Sequence, residues 1–296
     1  MPLRQPPEAG TAMLPRNTFD NDVVFITGGG TGLGKAIASE FARCGAAIAI
    51  ASRDEAHRRA GVEAMEAIGA KACETFLDVR DPESVKQAFE TTENALGPVS
   101  ILINNAAGNF EAPAEQMSPN AWRSVIDIVL NGTFFCSREF GQRRLKQGGG
   151  GAILNIGATY AWTGGPGTSH SAAAKAGVMN MTQSLAVEWA PDDIRVNCLV
   201  PGYFPLQDRS DGGWVSPEGK AKLRRASTVP GQRVGQGREL GWAATYMCSP
   251  FAAYLTGHSL VLDGANWLRR NLRMPEFEPV REVYDTARAA AEGKTG

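Results

Sequence analysis

The 296-residue sequence lacks a CxxC pair, a long apolar run and any appreciable net charge. Cys44, Cys73, Cys136, Cys198 and Cys248 lie far apart, which fits neither a zinc signature nor a secreted disulfide framework. A reducing, cytoplasmic setting is expected. No apolar stretch reaches the roughly 18 residues of a spanning helix, because Gly, Asn or charge interrupts each one, so a soluble chain without a membrane partner is expected. The formal net charge of −1 gives no reason to expect nucleic acid. His57, His170 and His258 occur singly, without a ligand pattern, and read as structural or solvated residues; no metal is expected. The opening MPLRQPPEAGTAMLPRNTFDND is proline-rich without an apolar signal core, and residues 1–21 are expected to form a tail. Residues 269–296 form a second tail, proline-broken and then helical, which could dock on a neighbouring subunit or stay solvated.

Between the tails the pattern alternates. The apolar run VVFIT leads into GGGTGLG, a helical stretch KAIASEFARCG follows, and AAIAIAS makes the next strand. Helices around Glu55 to Ile68 and Ser84 to Leu96 alternate with strands around Ala72 to Leu77 and in SILINNA. A helix around Ala121 to Leu145 ends in the glycine run Gly148 to Gly151, and AILNIGA, the helix bearing Lys175, RVNCLVPG and SLVLDGA complete the series. The alternation predicts an α/β fold with a doubly wound parallel sheet of Rossmann type, in a single domain over residues 22–268. A lid insertion is expected at about 203–232, where the chain turns irregular.

Thr27-Gly28-Gly29-Gly30-Thr31-Gly32-Leu33-Gly34 sits where a strand hands over to a helix. There a diphosphate can meet backbone N–H groups and the positive helix end, and glycine removes the Cβ that would block the approach. About 20 residues on, an NAD-selective site offers a carboxylate to the ribose hydroxyls. This chain has Ser52 and Arg53 instead, which suit the 2′-phosphate of NADPH. Asp54 and Glu55 read as first-turn helix residues, and a solvated Arg53 is the alternative.

Taken together, TGGGTGLG, LDV with Asp78, NNAAG from Asn104, Asn131 in VLNGT, Lys175 and Pro201-Gly202 resemble the short-chain dehydrogenase/reductase family across Val23 to Gly264. Within it, NNAAGNF, SPNAW, DIVLNGT, Tyr160 and SAAAKAG resemble the 2,4-dienoyl-CoA reductases of mitochondrial and peroxisomal type, with LAVEW and DGANWL closer to the peroxisomal branch. Two departures from the wider family stand out. Ser171 occupies the place of its tyrosine, four residues before Lys175, and Ala158 that of its serine, seventeen residues before Lys175. Both losses argue against ordinary ketone–alcohol interconversion.

The resemblance implies reduction of a dienoyl thioester of coenzyme A by NADPH, in a homotetramer. Hydride goes to the far end of the diene, a proton to the carbon beside the carbonyl, and the dienolate oxygen needs preorganised donors. Asn109 and Tyr160 would supply them, Tyr160 lying fifteen residues before Lys175 at the family's spacing. The residues agree to this extent: Tyr160 follows a strand at its carboxyl end, where open α/β sheets place ligands, and a phenol donates while neutral. Lys175 would hold the nicotinamide ribose, Asn131 would support a water and proton network, and Ser171 could link Lys175 to water or serve as a small packing residue. The cofactor set implied is Thr27, Gly28, Gly30, Thr31, Gly32, Leu33, Gly34, Ser52, Arg53, Asp78, Val79, Asn105, Ala106, Lys175, Pro201 and Gly202. Lys220, Lys222, Arg224 and Arg225 could meet coenzyme A phosphates or form a solvated face. The alternatives are a 2-enoyl-CoA or 3-oxoacyl thioester reductase, or a non-catalytic NADP-binding protein.

Overall fold

The computed structural model describes residues 2–205, 229–268 and 279–292. Seven short strands form one parallel sheet in the order β3-β2-β1-β4-β5-β6-β7. They are β1 (Val23–Thr27), β2 (Ala47–Ser52), β3 (Ala72–Phe76), β4 (Ile101–Asn104), β5 (Gly151–Ile156), β6 (Ile194–Pro201) and β7 (Ser259–Leu262). The central strands β1 and β4 are buried at every position, as continuous apolar runs predict for a sheet covered on both faces. On one face α1 (Gly32–Arg43) and α8 (Gly237–Cys248) enclose Ile26, Ile37, Phe41, Ile103 and Leu240. On the other, α3 (Pro82–Leu96), α5 (Gly132–Gln147) and α7 (Ser169–Trp189) enclose Phe25, Phe89, Leu102, Phe140 and Trp189.

Helix starts follow local chemistry. The Asp54 carboxylate accepts from the His57 N–H at 2.8 Å at the head of α2 (Glu55–Glu66), and Asp81 accepts from Glu83 at 3.0 Å at the head of α3. The predicted helix around Ala121 to Leu145 is not continuous: α4 (Pro119–Ile126) passes through a wide turn, Asp127–Asn131, into α5. Such one-turn widenings often mark functional positions. Across the sheet a buried polar chain ties helices to strands: the Asn104 side-chain amide donates to Ser137 at 3.0 Å and Asn155 at 2.9 Å, and Asn155 donates to Thr182 at 2.9 Å.

The N-terminal segment differs from a free tail. Phe19 is buried in the main core against Phe41, ring centroids 5.0 Å apart, and the Phe19 N–H donates to Cys44 O at 2.9 Å. Leu3 N–H donates to Gly231 O at 2.9 Å, and Arg238 donates to Pro7 O at 2.6 Å. Prolines left it no periodicity to read. At the other end α9 (Val280–Glu292) forms the expected late helix and meets its own chain through Arg281 and Glu115, 2.7 Å apart. Residues 206–228, with Lys220, Lys222, Arg224 and Arg225 of the expected lid, lie outside the described residues.

Candidate active site

β1 and β4 diverge in connectivity: β2 and β3 lie beyond β1, while β5, β6 and β7 lie beyond β4. The reversal leaves a crevice at the carboxyl ends of the strands. A cavity of about 840 Å³ opens there, running from Arg53 at one end to Tyr160 and Lys175 at the other.

Thr31, Gly32 and Leu33 line its middle, and Thr31 makes no side-chain cap bond to α1, unlike the caps of α2 and α3. Gly28, also lining, has φ +65°, and a Cβ on Gly34 would come 2.3 Å from Gly28 O. Those positions need glycine for conformation and for close approach. Thr27 is a framework residue rather than part of the lining. Its hydroxyl accepts from Asn105 N–H at 3.0 Å and Ala106 N–H at 2.8 Å, while the Asn105 amide donates to Thr27 O and Gly28 O. These bonds clamp the glycine turn to the loop after β4. Gly30 serves packing: a Cβ there would sit 2.0 Å from His57 O.

Ser52 and Arg53 line the far end together with Asp54 and His57. The Arg58 guanidinium donates to Ser52 O and Arg53 O, each at 3.0 Å, and so shapes that strand end. Neither His57 nor Arg58 was legible as a site residue, because each belongs to an ordinary-looking helical turn. Val79 lines the wall, whereas Asp78 is gripped by Arg80 at 2.9 and 2.5 Å, and this hydrogen bonding holds its carboxyl below the usual range. Pro201 lines the cavity; Gly202 instead packs against Asp263.

At the other end Lys175 is buried and its Nζ donates to Ile156 O. Burial pulls its pKa down to about 8, with a small opposing influence from Cys198 beside it. Tyr160 begins the short helix α6 (Tyr160–Thr163), and its hydroxyl lies 3.0 Å from Ser171 Oγ. Ser171 is thus partnered with the phenol, which the spacing alone did not show. Ala158 lines the cavity with a methyl group, two residues past the end of β5 at Ile156. Asn131 closes the wide turn and donates to the Asp127 carboxylate at 2.8 Å. Asp127, four residues before Asn131, was not among the residues expected at the site. Asn109 is exposed on the loop after β4 and, among the described residues, does not line the cavity.

The cleft fits a dinucleotide: a glycine turn at an uncapped helix start, a cation at one end and a buried lysine at the other. Such an arrangement defines a nucleotide-dependent oxidoreductase. The family model described as Enoyl-(Acyl carrier protein) reductase matches residues 28–265, and the chain belongs to this short-chain dehydrogenase/reductase family. A Bacillus subtilis (strain 168) protein named probable 2,4-dienoyl-CoA reductase, (2E)-enoyl-CoA-producing, is 40% identical over 252 residues, 84% of this chain and 98% of that protein. A Rattus norvegicus protein named peroxisomal 2,4-dienoyl-CoA reductase, (3E)-enoyl-CoA-producing, is 40% identical over 253 residues, 84% of this chain and 85% of its own. A crystal structure of a short chain dehydrogenase from Bacillus anthracis superposes with a TM-score of 0.76 at 41% identity, covering 84% of this chain and 98% of that one.

Proposed function

We propose that the protein reduces 2,4-dienoyl-CoA to 3-enoyl-CoA with NADPH. The observation that carries this reading is the Tyr160 hydroxyl 3.0 Å from Ser171 Oγ beside Lys175, with Ala158 where an alcohol-forming member would carry serine. Relatives named 2,4-dienoyl-CoA reductase support the reaction class, and the Rattus norvegicus one is named for the 3-enoyl product.

NADPH, when bound, supplies the hydride. Arg53 and Ser52 would hold its 2′-phosphate, the N–H groups at the start of α1 would hold the diphosphate, and Lys175 would hold the nicotinamide ribose. Tyr160 donates to the thioester oxygen, with Ser171 fixing the direction of its O–H bond, and Asn109, exposed and outside the cavity lining, would become the second donor by an inward turn of its loop. Hydride addition at C5 of the acyl chain pushes electrons through the diene onto that oxygen, where the two donors stabilise the dienolate. The Asn131–Asp127 pair supports the path of the returning proton. Protonation at C2 gives the 3-enoyl thioester; protonation at C4 gives the 2-enoyl thioester, the product in the name of the Bacillus subtilis relative. Placement of that proton therefore decides the product.

Tyr160→Phe tests the assignment. It lowers kcat by on the order of 10²-fold while NADPH binds nearly as before. Turnover equal to the unmodified enzyme would remove Tyr160 from the mechanism.

A further inference from the structure

The Arg53 end of the cavity holds more charge than Arg53 alone. Asp54 and His57 line the same end, and among the described residues Asp54 is the only carboxylate in the lining. It caps α2 by accepting from the His57 N–H at 2.8 Å, and that bond above all holds its carboxyl below the usual range. Asp54 is therefore ionised near pH 7. A fixed carboxylate next to Arg53 offsets the guanidinium charge that a phosphate needs. The Ser52 hydroxyl donates to Asp54 O at 3.1 Å, and it turns to a phosphate only by giving up that bond.

His57 alters this balance. Its Nδ1 stands 3.8 Å from Asp54 Oδ1, and its side chain is 54% exposed, within reach of a ligand in the cleft. The backbone beneath it is fixed, since a Cβ on Gly30 would meet His57 O at 2.0 Å, so this turn of α2 is docked on the glycine turn. The remaining charges nearby are engaged elsewhere. On α2, Arg58 is turned to Ser52 O, Arg53 O and Glu74 of β3, and Arg59 pairs with Glu55. Asp78, across the cleft, is gripped by Arg80. The glycine turn, residues 28–34, carries no titratable side chain, and Leu77 and Val79 are apolar walls. With a neutral imidazole, Arg53 and Asp54 cancel; with an imidazolium, this end of the cleft carries one net positive charge.

We infer that His57 is a specificity-determining residue for the cofactor: as an imidazolium it offsets Asp54 and donates to the adenosine 2′-phosphate beside Arg53, so that the preference for NADPH over NADH weakens as the ring loses its proton. The inference rests on the NADPH reading above. Imidazole ordinarily changes charge between about pH 5 and 8, so the effect falls in the physiological range. NADH gains nothing from the added charge, because its adenosine ribose carries a neutral hydroxyl that can donate to Asp54.

The test measures Kd for NADPH and for NADH calorimetrically, from about pH 6 to about pH 8.5, in the unmodified protein, in His57→Gln and in His57→Arg. The quantity read is the ratio of the NADH Kd to the NADPH Kd. The second ionisation of the phosphate itself, near about pH 6, is common to all three proteins and cancels between them. Relative to His57→Gln, the unmodified protein is expected to show a ratio about threefold or more higher near pH 6, a surface charge being screened by solvent, and to converge on it near pH 8.5. His57→Arg, which keeps a cation throughout, is expected to hold the higher ratio to the top of the range. Equal ratios in the unmodified protein and His57→Gln at every pH, or a difference that does not change with pH, would overturn the inference and leave the NADPH reading intact. An unmodified protein that binds NADH as tightly as NADPH throughout would remove both. Should His57→Gln fail to fold, His57→Arg still decides: a ratio that falls with pH in parallel with the unmodified protein would overturn the inference, and loss of both cofactors in both variants would assign His57 to the folding of α2 instead.

Discussion

Lys175 carries its charge under strain, because burial brings its pKa to about 8. An unfolded lysine keeps its proton to about pH 10.4. Below about pH 8 folded and unfolded chains are both protonated, and the burial penalty is present in full; between about pH 8 and 10.4 only the unfolded chain holds the proton, and the penalty fades. Folding thus gains from alkali at this residue, while function, on the proposed role of Lys175, loses the cation that would hold the nicotinamide ribose. The value of kcat/KM for NADPH, which reports the free enzyme, falls as pH rises through about 8. A profile flat to about pH 10 would show that the charge on Lys175 is not needed. At this scale the sequence was legible where a residue type was diagnostic by itself. Ala158 and Ser171 stand out by type alone, and Arg53 suits the phosphate of the proposed cofactor. The pairing of Ser171 with Tyr160 was not legible, since it depends on a backbone path between two helices that spacing does not fix.

Among the elements, strands were the easiest to read, because a sheet covered on both faces demands unbroken apolar runs such as VVFIT and ILIN. The wide turn at Asp127–Asn131 was hidden, since Ile126, Ile128, Val129 and Leu130 are apolar around much of the helix and leave no break in periodicity. The N-terminal segment was misleading for the opposite reason: its prolines and polar residues suggest solvent, yet Phe19 fills a core position between α1 and the sheet. Phe19→Ala accordingly costs about 3 to 5 kcal/mol of stability, measured by urea unfolding. A loss under about 1 kcal/mol would mean that the segment is dispensable.

For the whole molecule, strand order decides where chemistry happens. Parallel strands wound in both directions from the β1–β4 divide open one crevice, and the glycine turn, Arg53, Lys175 and Tyr160 reach it from four different loops or helices. The sequence predicted this architecture because alternating strands and helices admit few topologies. It could not predict that Asn109 would be exposed and outside the cavity lining, a matter of loop conformation. The central claim is that this crevice reduces a conjugated thioester rather than a ketone. It is tested most directly by supplying 2,4-dienoyl-CoA with NADPH and, separately, with NADH, following cofactor oxidation, and determining the mass and double-bond position of the acyl product. The account predicts faster oxidation of NADPH and accumulation of 3-enoyl-CoA. Cofactor binding without oxidation, or turnover of a 3-oxoacyl thioester to its alcohol in place of the diene, would contradict it.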